Sequence, residues 1–421
     1  MLADVPMVFI LVGITAYTVL SGADFGAGLW TLIPGGGQAD AATTRDHTRH
    51  AMGPVWEANH VWLIFVLTVA WTCYPVAYGS IVSTLSIPLF IAAVGIIFRG
   101  ATYALRSQLD RREGRGVRAV ENVFALSSVL TPFALGTVIG AIATGRVPVG
   151  NARGDLVTSW LNPVSIMAGV LAVAFSGYLA AVYLAADARR LAERSLVRDF
   201  RLRGLAAGVV AGALALGGLF VVRAQARPLW HGLTSGLGLA LVIVCALAGV
   251  LTLILVWRNR FGPARASAAL AVAAVIAGWA AAQEPRLLPG LTVSQAAAGR
   301  ATLIATIIGV AAGAVVLVPS LTLLYTLVLR GRLEGAEAAV GPAGLSRPKV
   351  PRAGSAGRPS AALAGVRRAR LAGGFAAVTL VAGAGLMIFA APAWALALGV
   401  LALLACAVTV FALAAGPPER S

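Results

Sequence analysis

The chain has 421 residues, of which 59% are hydrophobic and 12% charged, with a mean hydropathy of +0.87. That leaves too little polar surface to coat a water-soluble globule of this size, so the composition is that of a polytopic membrane protein. The formal net charge of +17 falls in short arginine-rich stretches between apolar runs, where it sets topology and does not indicate nucleic-acid binding.

Apolar windows of spanning length run at about 6–30, 54–78, 81–105, 119–144, 157–186, 204–222, 233–257, 264–282 and 301–329, with two more near 371–391 and 393–415. An open sheet cannot satisfy its backbone in lipid, and these runs are too apolar for barrel strands. The expected fold is therefore an all-α helix bundle of about eleven spans. The N-terminus M-L-A-D-V-P lacks a basic region, so the first run reads as a retained span and not as a cleaved signal. Arg45, Arg49, Arg106 to Arg118, Arg189 to Arg203, Arg258 to Arg265 and the linker arginines fall in loops on one side. The sparser Arg146, Arg153, Arg223, Arg227, Arg286 and Arg300 fall on the other. The positive-inside rule puts the N-terminus outside and the first loop and C-terminus in the cytoplasm. Residues 331–370, rich in Pro, Gly, Ser and Arg, read as a disordered cytoplasmic linker between a nine-helix domain, 1–330, and a two-helix appendix, 371–421.

Ionisable residues inside spans are expensive and usually functional. Asp24, in S-G-A-D-F-G-A-G, comes late in the first span, and Glu57, in P-V-W-E-A-N-H-V-W, comes early in the second. With the topology above, both sit toward the cytoplasmic side. Gly22 and Gly26 make a small-x-x-x-small face against which another helix can pack and shield Asp24. Asp24 reads either as a proton-handling group or as a structural acid. Glu57 and His60, at i and i+3, share a helix face, and Asn59 can hold a water beside them. The alternative is that the three cap and anchor the helix. His60 could ligate a haem, but no second embedded His accompanies it, since His47, His50 and His231 are expected in loops. Trp56, Trp62 and Trp71 read as interfacial or packing aromatics. Arg99, late in the third span, either snorkels or pairs with a carboxylate. Cys73, Cys245 and Cys406 form no C-x-x-C pair, and no metal-ligand cluster or soluble-type catalytic motif is present.

The run W-E-A-N-H-V-W-L, with G-A-D-F-G-A-G, F-R-G at 98–100, L-N-P-V-S-I-M-A-G at 161–169 and V-L-V-P-S-L-T-L-L-Y at 316–325, resembles subunit II of the cytochrome bd-type quinol oxidases over about residues 1–330. That resemblance implies a subunit that is not catalytic alone. It implies pairing in a bacterial-type cytoplasmic membrane with a haem-bearing subunit I that oxidises quinol and reduces dioxygen to water. No cofactor is then held by this chain alone; haems b and d belong to the partner, and a bound quinone or small accessory subunits are compatible with it. Glu57 and Asp24 stand where family members pass cytoplasmic protons, with Asn59 and His60 beside them, and Trp62 borders the family's apolar dioxygen route, with Trp56 on the same helix. The chain departs from the family in having Ser21 and Ala23 in S-G-A-D where D-G-F-D is common, Glu57 where Asp is frequent, and His60 where Glu or Gln is usual. Two rival readings remain, a proton-coupled secondary transporter and a non-catalytic scaffold subunit.

Overall fold

In the computed structural model the described residues are 2–33, 43–44, 47–48, 56–109, 115–329 and the isolated positions 375, 378, 379, 398, 402 and 405. Within these, side chains are described except at 56–58, 103–109, 115–120, 321 and 324–329. The chain divides into two compact units, Met1–Ala339 and Val340–Ser421. Of the second unit only the six isolated positions are described, each of them helical. The linker and appendix expected at 331–370 and 371–421 otherwise lie outside the described residues, as does His50.

Among the described residues of the first unit, besides the helical positions 43–44 and 47–48, the elements are α1 (Val5–Leu32), α2 (Trp56–Cys73), α3 (Pro75–Thr84), α4 (Ser86–Leu109), α5 (Arg115–Ala143), α6 (Pro163–Arg190), α7 (Arg194–Gln225), α8 (Arg227–Leu233), α9 (Gly236–Trp257), α10 (Phe261–Gln283), β1 (Arg286–Leu288), β2 (Leu291–Thr292), α11 (Val293–Ala296) and α12 (Arg300–Leu329). Among the described residues seven helices are long and apolar enough to cross a membrane, or eight if the bent pair α3–α4 is one span, while the described apolar part of α2, Asn59–Cys73, is shorter. The strands pair antiparallel in the connection between α10 and α12, with Arg286 opposite Thr292.

The windows expected at 54–78 and 81–105 are divided differently from the sequence reading. Pro75 disfavours helical backbone at the residue before it, and Tyr74 leaves the helical region with φ −135 and ψ 58. The helix ends at Cys73 and restarts with Pro75 in the first turn of α3. A second break at Leu85 turns α4 by 83° from α3. The stretch Arg194 to Arg203, expected as loop, is the first part of α7: Leu196 and Phe200, at i and i+4, are buried on one side of a continuous helix. Asn162 caps α6 as its Oδ1 accepts from Ser165 N at 3.0 Å, with Pro163 at the first helical position. Before that cap, Asp155 accepts from the backbone N–H groups of Thr158 and Val157, which hold its carboxyl below the usual carboxylate range.

Helix α6 is the hub. From Ser176 to Val182 every residue is buried, and it packs against α1, α5, α7 and α10. Small residues allow this closeness. A Cβ on Gly26 would fall inside the carbonyl group of Ser176, and one on Gly136 would stand 2.6 Å from Ala168 O. Gly22, by contrast, has room: its nearest neighbour would be Leu179 Cδ1 at 3.4 Å. A second apolar core joins α1, α2, α3 and α5 to the hairpin and the start of α12, through Ile10, Val69, Tyr74, Leu85, Ala141, Leu288 and Leu303.

Candidate functional site

The polar centre of the first unit is built on α1. Residues Ser21 to Gly28 are all buried, so this part of α1 is enclosed around its whole circumference. A charge there needs a partner within the protein. Asp24 finds it in Arg99 of α4, and both side chains are fully buried. Arg99 Nη2 donates to Asp24 Oδ1 at 2.7 Å and Nε donates to Oδ2 at 3.1 Å, the two-pronged geometry that suits guanidinium and carboxylate. Nη2 also donates to the backbone carbonyl of Asp24 at 2.7 Å, and Nη1 donates to Ser128 Oγ on α5. Ser128 Oγ in turn donates a hydrogen bond to Phe124 O at 2.6 Å. Two rings complete the lining, with the guanidinium carbon 4.3 Å from the Phe124 centroid and 5.0 Å from that of Phe25.

A single cation thus ties α1, α4 and α5. Gly28, one helical turn beyond Asp24, leaves the slot open: a Cβ there would collide with Ser128 and stand 3.0 Å from Arg99 Nη1. Helix α2 closes the seam with His60, whose ring meets Tyr17 edge-on at 5.9 Å and Phe25 at 6.1 Å. Asn59 beside it is buried.

The structure therefore brings Asp24 and Arg99 into contact and places His60 against Phe25, the residue next to Asp24. Gly26 is at the α1–α6 contact and Gly22 is not crowded. Trp62 lies half-buried on α2 with its ring edge-on to Phe65 at 6.3 Å, and Trp71 is exposed, stacked on Tyr78. Glu57 and Trp56 lie in the first turn of α2, and their side chains are outside the described residues. His47, expected in a loop, is helical and buried: its Nε2 is 3.1 Å from Leu184 O and its ring packs on Phe200. His231 likewise sits in α8.

Ser128, Phe124, Phe25 and Gly28 escaped the sequence reading. Gly28 was findable, being at i+4 from Asp24. The paired serines Ser127 and Ser128 in an apolar run were the other signal. His60 Nε2 is sealed from solvent, and its ring packs edge-on against Tyr17 and Phe25 of α1. Among the described residues no group of three His, Cys, Asp or Glu could hold a metal ion.

The sequence model of the family described as cytochrome bd terminal oxidase subunit II matches residues 2–328. Cytochrome bd ubiquinol oxidase subunit 2 of Bacillus subtilis (strain 168) is 28% identical over 167 residues, 38% of this chain and 47% of that protein. Cytochrome bd-I ubiquinol oxidase subunit 2 of Escherichia coli (strain K12) is 26% identical over 223 residues, 51% of this chain and 56% of that protein. The chain thus spans about half the length of the curated relatives it matches. The solved bd oxidase from Geobacillus thermodenitrificans contains a chain of the same fold, with a TM-score of 0.60 and 23% identity over 77% of this chain and 98% of that one.

Proposed function

This chain belongs to the cytochrome bd terminal oxidase subunit II family, and on that premise we propose that it is the haem-free subunit of a bd-type quinol:dioxygen oxidoreductase. It pairs in the cytoplasmic membrane with a haem-bearing subunit I, with its N-terminus outside. The haems of the partner, when bound there, move electrons from quinol to dioxygen. This chain's residues supply protons from the cytoplasmic side.

The observation that carries the reading is the enclosed polar centre at the α1–α2 seam, Asp24–Arg99–Ser128 with His60 alongside, within helices that match the family. A membrane protein holds such a cluster in its interior at a cost, so the cluster serves function or specificity. Glu57 opens α2 and shares a helix face with His60, which makes it the entry group. Asp24 has a different part. Both of its oxygens accept from Arg99, so a proton placed on them must break a two-pronged ion pair. Asp24 and Arg99 anchor the seam, and Glu57 and His60 pass protons along it. The pairing geometry thus favours the scaffold reading for Asp24 alone, with delivery kept for α2.

The test is assembly and turnover. Co-expressed with a bd-type subunit I, this chain is expected to co-purify with a protein whose visible spectrum shows a chlorin-type haem, and quinol-dependent oxygen uptake requires both chains. Purification as a stable lone protein that drives substrate-coupled proton flux in liposomes would instead establish the transporter.

A further inference from the structure

The stretches 187–203 and 258–265 bring nine arginines to one end of α6, α7, α9 and α10, against the acids Asp187, Glu193 and Asp199. Four of the nine are engaged within the protein. Arg190 pairs with Asp187 at 2.7 Å, Arg189 donates to Asn259 O, Arg265 donates to Tyr183 O at 3.0 Å, and Arg203 lies over the rings of Trp30 and Phe200. Asp199 is buried, so Glu193 is the one exposed acid among the described residues of these stretches. The guanidinium groups of Arg194, Arg198, Arg201, Arg258 and Arg260 make no ion pair or hydrogen bond to any described residue. Arg194, Arg198 and Arg201 stand at i, i+4 and i+7 on one face of α7, and that face runs on into the exposed Val209 and Leu216. Helices α7 and α9 are antiparallel, and their contacts fix the register: a Cβ on Gly204 would stand 3.8 Å from Val256 Cγ1, and one on Gly208 would stand 2.6 Å from Leu253 Cδ2. One turn toward the arginines, that register puts Arg201 level with Asn259 and Arg260. One turn the other way it puts Gly212 opposite Gly249, and there the contact is lost, since a Cβ on either would find nothing within 4 Å. The helices part at that depth and leave a groove, and Gly212 is exposed in it.

We propose that this groove holds an acyl chain of an anionic phospholipid whose phosphate is bound at its mouth by Arg201, Arg258 and Arg260, with Arg194 and Arg198 adding to the positive field. Two independent features select that occupant. The first is charge: guanidinium groups bind phosphate through paired N–H donors, and basic clusters between helices on the cytoplasmic side, where the topology proposed above puts this end, collect anionic heads. The second is length. Gly212 lies eleven residues from Arg201, about 16 Å along the helix axis, and one leaflet contributes about 15 Å of hydrocarbon. A chain anchored at the arginines therefore ends where the helices part. Trp257, 62% exposed and next to Arg258, stands at the headgroup level that suits tryptophan. Topology alone asks for positive charge on this side and not for a groove beneath it. The site is independent of how protons reach the partner.

Native mass spectrometry of the two-subunit complex, equilibrated in mild detergent with equal amounts of dioleoyl phosphatidylglycerol and dioleoyl phosphatidylcholine, tests the site. Wild type is expected to keep one phosphatidylglycerol more per complex than Arg201→Gln with Arg258→Gln, whose affinity falls by about tenfold or more, at about fivefold for each arginine. Gly212→Phe fills the groove with the arginines intact and is expected to lose the same lipid, while Arg300→Gln, in the sparser set of arginines on the other side, keeps it. Retention unchanged in the arginine variant or in Gly212→Phe overturns the proposal, as does phosphatidylcholine held in equal amount at the site. Inorganic phosphate alone, added in place of lipid, is expected to give no thermal protection that the arginine variant lacks; such protection would make this an anion site and overturn the lipid. A cryo-EM map of the wild-type complex in phosphatidylglycerol nanodiscs decides the matter even where a variant fails to assemble. Head and chain density between α7 and α9 is expected, and a protein helix or an empty groove there overturns it.

Discussion

Replacing Arg99 with Met lowers the stability of the protein by about 3–5 kcal/mol, the usual cost of removing one member of a buried ion pair. The reason is the isolation of what remains. Asp24 is fully buried, so its carboxylate loses the two bonds that the guanidinium donates without gaining solvent in exchange. Ser128 loses its donor at the same time, and the faces of Phe25 and Phe124 lose the cation between them. Asp24→Asn is expected to cost about as much, because it leaves the buried Arg99 guanidinium without a counter-charge and turns an amide N–H2 toward one of its donors. The double substitution Asp24→Asn with Arg99→Met removes both charges and recovers most of the loss. Thermal unfolding of the purified protein, run as a double-mutant cycle, reads this directly. Strictly additive effects would mean that the two groups do not work as a unit.

Gly26→Ala destabilises by about 1–3 kcal/mol, at the scale of overpacking a tight contact, while Gly22→Ala is neutral or gains up to about 1 kcal/mol from better helix propensity. The two glycines stand four residues apart in one motif and read alike in the sequence. They differ in what lies opposite. At position 26 the obstacle is the backbone carbonyl of Ser176, which cannot rotate away, so α1 and α6 must separate. Position 22 faces the end of the Leu179 side chain and Ser176 Oγ at ordinary contact distances. Unfolding of the two variants side by side in the same detergent checks the contrast. Equal losses at both positions would show that the helices approach along the whole face and not at one point.

Much of the architecture was legible because hydropathy alone separates helices that enter lipid from those that do not. The windows for α1, α5, α6, α9, α10 and α12 run close to the helices found. The misreadings arose where backbone chemistry overrode hydropathy. Nothing in the apolar run through Cys73 and Tyr74 marks a break except Pro75, and the turn at Leu85 has no proline of its own. The arginines before Gly204 looked like loop because charge was counted without the i, i+4 pair Leu196 and Phe200, whose burial makes that stretch helical. His47 falls outside the apolar windows, and its burial depends on Leu184 and Phe200, far along the chain.

In the polar centre, the presence of Asp24 and Arg99 was evident from the cost of charges in apolar spans. Their partnership was not, as Arg99 could equally have reached for the headgroups. Phe25 and Phe124 carry no chemical signal in sequence, being two among many apolar residues. Their meaning comes from standing on either side of one cation. The contact with Arg99 is what, in the function proposed above, favours the structural one of the two readings that the sequence leaves open for Asp24.

The central claim is that α2 of this chain admits protons for oxygen reduction in the partner. It is tested most directly by reconstituting the two-subunit complex in liposomes and timing proton uptake from the cytoplasmic side after an oxygen pulse, for wild type and Glu57→Gln. A positioned proton donor contributes roughly 10²–10⁴-fold, so uptake in the variant is expected to slow by about 10², with quinol-to-haem electron transfer unaffected. Uptake at the wild-type rate in Glu57→Gln would contradict it.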